Sequence, residues 1–226
     1  MHLEGTILRG PDFDPVEGRV VVADGEIVRI DATAVDSDDV ILPAFVNAHT
    51  HIGDSIAKEA GEGLSLDELV APPDGLKHRL LRAATHDEKV AAMARTLRYM
   101  GSTGTGTFLE FREGGVEGVA ALRDAVAGEG VAFDERAIEP VVFGRDDPDV
   151  LGAADGYGAS GARDADFDAV RSETREAGKL FGIHAGERDA DDINPAMDLD
   201  PDFLVHMVHA EPIHLDRLSD RGTPVV

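Results

Sequence analysis

The chain contains no cysteine, which excludes disulfides, thiolate metal sites and cysteine nucleophiles. No stretch approaches the roughly 18 consecutive apolar residues of a membrane span, and Met1-His2-Leu3-Glu4 does not open a secretory signal. The expectation is a cytoplasmic protein with no membrane partner. Lysine is scarce: Lys58, Lys77, Lys89 and Lys179 are the only four among 21 basic residues, set against 45 acidic ones and a formal net charge of -24. With no basic patch to meet phosphates, nucleic acid is excluded as a partner. Gly104-Thr105-Gly106 is followed by no Gly-Lys-Ser/Thr, so it forms no phosphate loop.

What is present suffices for a core. At 226 residues and 42% hydrophobic content, the chain has the size of one large or two small domains. Residues 1–40 read as short strands, Thr6 to Leu8, Arg19 to Val22 and Glu26 to Ile30, with Ala23-Asp24-Gly25 as a hairpin turn. This β-subdomain has too little mass for a core of its own. From residue 41 onward strands alternate with helices, the pattern of parallel βαβ units. The apolar run Val40 to Ala44 leads into a buried strand ending at His49-Thr50-His51. Further strands are predicted at 106–112, 137–143, 156–160, 180–184 and 203–208, with a seventh begun by 223–226. Helices are predicted from Asp87 to Met100, behind a capping start at Thr85, around Val119, Leu122 and Val126, and around Phe167, Val170, Thr174 and Ala177. Seven strands in βα order predict an α/β, TIM-like (β/α)8 barrel over residues 41–226, incomplete at its C-terminus and shorter than the about 250 residues typical of that fold.

The chemistry-bearing residues fall at strand ends, where such barrels place their sites. An i, i+2 spacing on a strand turns His49 and His51 to one face. His184 closes the fifth barrel strand in His184-Ala185-Gly186-Glu187, and His206 lies near the end of the sixth. Neutral imidazoles suit Zn²⁺, and three of them leave an open coordination position for water. Glu187 is placed to move a proton between that water and a leaving group, with a helix cap as its alternative role. Phe108, Glu110 and Arg112 share a strand face, which is expected to line the barrel mouth rather than sit under the outer helices. Glu110 and Arg112 are then substrate contacts or, equally, a structural ion pair. Lys77, in the loop 71–79, is either a cationic lid contact or a stray exposed base. His209 and His214 are expected in the loop or helix after the sixth strand, and His2, His78 and His86 at the surface.

These motifs resemble the amidohydrolase superfamily, in particular its branch of cytosine deaminases, guanine deaminases and chlorohydrolases. The resemblance spans essentially the whole chain and rests on Leu42-Pro43-Ala44-Phe45-Val46-Asn47-Ala48-His49-Thr50-His51, His184-Ala185-Gly186-Glu187 and Leu204-Val205-His206-Met207-Val208-His209. It implies an N-terminal β-sandwich portion over residues 1–40. It also implies one divalent metal ion, zinc or alternatively iron, on His49, His51 and His184, and Glu187 as proton shuttle. His206 would orient or deprotonate the activated water or, as in some members, bind the metal. The superfamily's strand-eight aspartate has no counterpart here, so a truncated product or fragment is expected. The acid-rich composition resembles that of the cytosolic proteins of extreme halophiles, in which concentrated salt screens self-repulsion.

The function expected is hydrolysis of a non-peptide C–N bond, foremost deamination of a small-molecule amino-substituted heterocycle. Chloride displacement from a ring is an alternative. So is a cyclic amidase, weakened because residues 155–178 hold no lysine to carry a bridging carboxylate. A non-catalytic metal-binding fragment is the alternative from another class. It would expose apolar barrel edges and self-associate, making a homo-oligomer one expected state.

Overall fold

The computed structural model describes residues 1–71, 73–128 and 138–226. Pro72 of the loop 71–79 and Ala137 of the predicted third barrel strand lie outside the described residues. Contacts divide the chain into two compact units, Met1–Phe45 and Val46–Val226.

The first unit is a four-stranded sheet of order β3-β2-β1-β4, made of β1 (His2–Arg9), β2 (Asp14–Ala23), β3 (Glu26–Ala32) and β4 (Val40–Ile41). β1, β2 and β3 form an antiparallel meander, and β4 joins β1 in parallel. The predicted hairpin turn is tight: Asp24 (φ 51°) and Gly25 (φ 82°) both take the left-handed conformation, which matches the twist of the paired strands. Among its large apolar residues only Ile7 and Val20 are buried, while Ile27, Val28 and Ile30 are exposed. The apolar run expected to lead into the first barrel strand is split, because Val40 and Ile41 pair with β1.

The second unit is a six-stranded sheet of order β5-β6-β7-β8-β9-β10 that curves as a barrel sheet. Its strands are β5 (Phe45–Thr50), β6 (Thr105–Arg112), β7 (Glu139–Gly144), β8 (Gly156–Ala159), β9 (Leu180–Ala185) and β10 (Phe203–His206). The registers from β6 through β10 are parallel. Between them run α1 (Leu66–Val70), α2 (Leu76–Ala83), α3 (His86–Ser102), α4 (Gly115–Ala127), α5 (Asp168–Glu176) and α6 (Ile193–Asp198), with α7 (Pro212–Arg221) last. α3 starts at a capping box, the Thr85 hydroxyl taking the Glu88 N–H and Glu88 reaching back to the Thr85 N–H, which satisfies two of its free amide donors. The predicted seventh strand is present as one parallel bridge, Leu204 to Val225.

Both faces of the sheet are covered. Phe108, Val142 and Ile138 pack with Met93 and Leu97 of α3 and Val119 and Leu122 of α4. On the opposite, inner face Phe111, Phe143, Phe203 and Val205 form a separate cluster, with Phe111 and Phe143 stacked at 5.4 Å. This aromatic cluster is the floor on which the histidines stand.

Three expectations of placement are corrected here. β6 alternates, but the face of Phe108, Glu110 and Arg112 lies beneath the helices, and it is Phe111 that points inward. Residues 76–79 of the expected loop 71–79 belong to helix α2. The sixth barrel strand stops at His206 rather than Val208, because His206 (φ 76°) and Met207 (φ 55°) leave the extended conformation.

Candidate metal centre

Three of the sequence-predicted residues meet at the C-terminal ends of the strands. The Nε2 atoms of His49, His51 and His184 are each 3.1 Å from the other two. Three nitrogens bound tetrahedrally to one zinc at 2.0–2.1 Å are about 3.3 Å apart. The triangle therefore fits one small cation and leaves a coordination position open. Phe111 supports it from below, 5.4 Å from the His49 ring and 4.7 Å from the His184 ring, both edge to face. A looser set, His49, His184 and His206, brings ligand atoms within 4.8 Å of one another.

The unused ring nitrogens explain the convergence. His184 Nδ1–H donates to the Ala159 carbonyl at 2.8 Å, and His51 Nδ1 lies 3.1 Å from Glu113 Oε1. Such partners fix tautomer and ring orientation so that Nε2 presents its lone pair. Burial, followed by the charges of His51, His206, Arg145 and Lys77, lowers the pKa of His49 from 6.5 to about 3. Burial likewise pushes His184 well below the usual imidazole range, and it lowers His51 despite the opposing pull of Glu113. All three are neutral at pH 7, the form that binds a metal.

His206 and Glu187 complete the rim. Their side chains are 25% and 39% exposed, with His206 Nε2 3.7 Å from Glu187 Oε2. Two consecutive non-glycine residues at positive φ cost about 1–3 kcal/mol each, and His206 N–H is tied to the Val226 carbonyl at 3.0 Å. That strained turn presents the imidazole to the cavity, its ring 5.0 Å from that of His49.

Of the three substrate contacts expected from the sequence, Lys77 lines the cavity of the histidines, and Glu110 and Arg112 do not. Lys77 is no stray base: its side chain is 11% exposed, and it binds Glu113 Oε1 at 2.8 Å and Asp54 Oδ2 at 3.1 Å. Glu110 is fully buried beneath the helices. It accepts from the amides of Ile52 (2.8 Å) and Gly53 (3.2 Å) and contacts the Thr50 hydroxyl at 2.7 Å. Burial raises its pKa to about 7. Arg112 lies between Glu110 and Glu113, at 3.4 and 3.3 Å. It is packed so closely over Gly53 that a Cβ there would fall 1.1 Å from its Nη1. This is the structural ion pair, and it braces the turn that follows His51. His78, expected at the surface, is half-buried and lines the cavity, while His214 is buried in α7 against Asn194.

Two residues that the sequence reading passed over are central. Glu113, 3% exposed, gathers His51, Lys77, Arg112 and Arg145 on one carboxylate. Arg145 follows β7 and lines the same cavity, of about 180 Å³, as the histidines. Both lie just past the C-terminal end of a barrel strand, which was the signal available for finding them.

The sequence profile of the amidohydrolase family matches residues 40–197, and the chain belongs to that family. It is 32% identical over 252 aligned positions to a protein of Methanothermobacter thermautotrophicus named "Putative aminohydrolase", covering 98% of this chain and 66% of that protein. An Archaeoglobus fulgidus protein of the same name is 36% identical over 211 positions, covering 89% of this chain and 58% of the relative. The chain thus spans somewhat under two thirds of the length of these relatives. Among solved structures, molinate hydrolase superimposes with a TM-score of 0.64 at 15% identity, over 98% of this chain and 62% of that one, a likeness of fold.

Proposed function

We propose that the chain carries the metal centre of a hydrolase that deaminates an amino-substituted heterocycle. The observation that carries this reading is the convergence of three neutral imidazoles, Nε2 to Nε2 at 3.1 Å, beside a half-exposed carboxylate. A divalent cation held there, zinc by the all-nitrogen donor set with iron as the alternative, would supply a Lewis acid that lowers the pKa of water toward neutrality. His49, His51 and His184 would hold that cation. Glu187 takes the proton that the attacking water loses and returns it to the departing amine, so that ammonia leaves and a ring carbonyl remains. His206, at the rim beside Glu187, orients the attacking oxygen. The phenylalanine floor closes the centre from below and keeps bulk water to one side. The name of the two archaeal relatives supports removal of an amino group.

The cyclic-amidase reading is disfavoured at the site. β8 carries no lysine, and the Lys179 ammonium is tied to the carbonyls of Leu151 and Ala154 at the opposite end of β9. Chloride displacement uses the same residues and is tested by comparing amino and chloro forms of one ring. We place the protein in concentrated salt, on its charge, and in the cytoplasm. No described helix is long and apolar enough to cross a membrane. The test is a screen of amino-heterocycles for ammonia release with the zinc-loaded chain: release abolished by Glu187→Gln supports the reading. Metal binding without turnover of any ring would favour the non-catalytic metal-binding alternative.

A further inference from the structure

We propose that Arg145 binds an oxyanion group, a carboxylate or a phosphoryl, on the substrate. The inference rests on the reading above only in taking the cavity over the histidines as the place where substrate enters. Arg145 is 9% exposed, and its side chain makes one ion pair, Nη1 to Glu113 Oε1 at 2.9 Å. Its remaining guanidinium N–H groups have no partner among the described residues. A guanidinium is rarely buried without filling its planar fork, and this one borders the cavity that holds the three imidazoles.

The charge inventory points the same way. Of the other bases lining that cavity, Arg163 has Asp189 at 2.9 Å and Arg188 has Asp67 at 2.9 Å. Arg145 has no carboxylate to itself, because Glu113 also serves Lys77 and Arg112. Of the four acids on the cavity wall, Asp54, Asp164, Glu187 and Asp192, Asp164 and Asp192 accept backbone N–H groups from Gly161 and Gly186. A divalent cation on neutral imidazoles would add two further positive charges beside Arg145. The wall balances the bases Lys77, Arg145, Arg163 and Arg188 against the acids Asp54, Asp164, Glu187 and Asp192, so a divalent cation would leave the pocket net positive in a chain of net charge -24. The pocket's complement is a planar anion that the free edge of the guanidinium can grip with two parallel hydrogen bonds.

The experiment is calorimetric titration of the chain with benzoate, phenylphosphonate and the neutral benzamide, in metal-loaded and chelator-treated protein. The same titrations follow for Arg145→Gln and Arg145→Lys, with bound metal and circular dichroism measured alongside. The expected result is that one anion binds at least about tenfold more tightly than benzamide, the range of a charge-assisted pair. Arg145→Gln should abolish this preference and Arg145→Lys should keep part of it, both with unchanged metal content. A preference for benzoate assigns a carboxylate, and one for phenylphosphonate assigns a phosphoryl group. The proposal is overturned by equal binding of all three probes, by a preference that survives Arg145→Gln, or by one that disappears on chelation, which would place the anion on the metal. Failure of every amino-heterocycle in the turnover screen would leave an observed anion preference standing, so the two readings fail separately.

Discussion

The two sides of the metal centre are built in opposite ways. On the β5–β6 side, His51 is backed by Glu113, a carboxylate 3% exposed and shared with Lys77, Arg112 and Arg145. On the β9–β10 side, His184 rests on a neutral carbonyl, and the partly exposed Glu187 and His206 stand 3.7 Å from each other. A buried charge stripped of its partners is costly, typically about 3–5 kcal/mol, so the first side is fixed in place. A half-exposed carboxylate can change its rotamer cheaply. On the proposed reading both sides would supply ligands to the cation, and only the second would also move protons.

The comparison breaks most completely if a ligand is lost from either side. Both His49→Ala and His184→Ala should abolish metal binding, read by metal analysis after dialysis, since two imidazoles do not make a closed set with an open position. The sides should then part company. Glu187→Gln is expected to retain the metal while ammonia release falls about 10²–10⁴-fold, the usual worth of a general acid/base. Glu113→Gln should lower metal affinity about 10–100-fold, as loss of a partner behind a metal-bound histidine does. Unchanged affinity would show that the buried charge does not orient His51.

The smallest effect concerns Glu110, whose pKa is raised from 4.5 to about 7. In that interval the folded state holds a proton that the unfolded state has lost, so this group makes stability fall as pH rises from 4.5 to 7. Burial drives that shift against the Arg112 charge and the hydrogen bonds from Thr50 and Ile52, which favour the ionised form. Glu110→Gln should therefore flatten the pH dependence of denaturant unfolding in that window, with little change in metal affinity. A steeper dependence would contradict the assignment.

Much of this was legible in the chain. The strand at 106–112 and the helix at 87–100 lie within one to two residues of β6 and α3, because Thr85 and Glu88 mark the cap and Val90, Met93, Leu97 and Met100 keep helical period. The His49, His51 and His184 motifs stood out by spacing. The facing of Glu110 and Arg112 did not, since a barrel strand is buried on both sides and alternation alone does not say which set points inward. Lys77 read as a loop residue because the punctuation of Pro73, Asp74 and Gly75 outweighs the short polar helix that follows. The end of β10 was missed because nothing in the identity of His206 or Met207 forecasts a positive φ. The gathering of four basic groups on Glu113 joins residues up to 62 positions apart in sequence, beyond the reach of any local pattern.

The central claim is that three imidazoles, oriented by partners of unlike kind, hold one metal ion. Its most direct test is the zinc stoichiometry of the purified chain after dialysis in concentrated KCl, beside that of His49→Ala, His51→Ala and His184→Ala. One equivalent in the parent and none in any variant is the predicted result. A folded parent that retains no zinc, or a variant that keeps its full equivalent, would contradict the account.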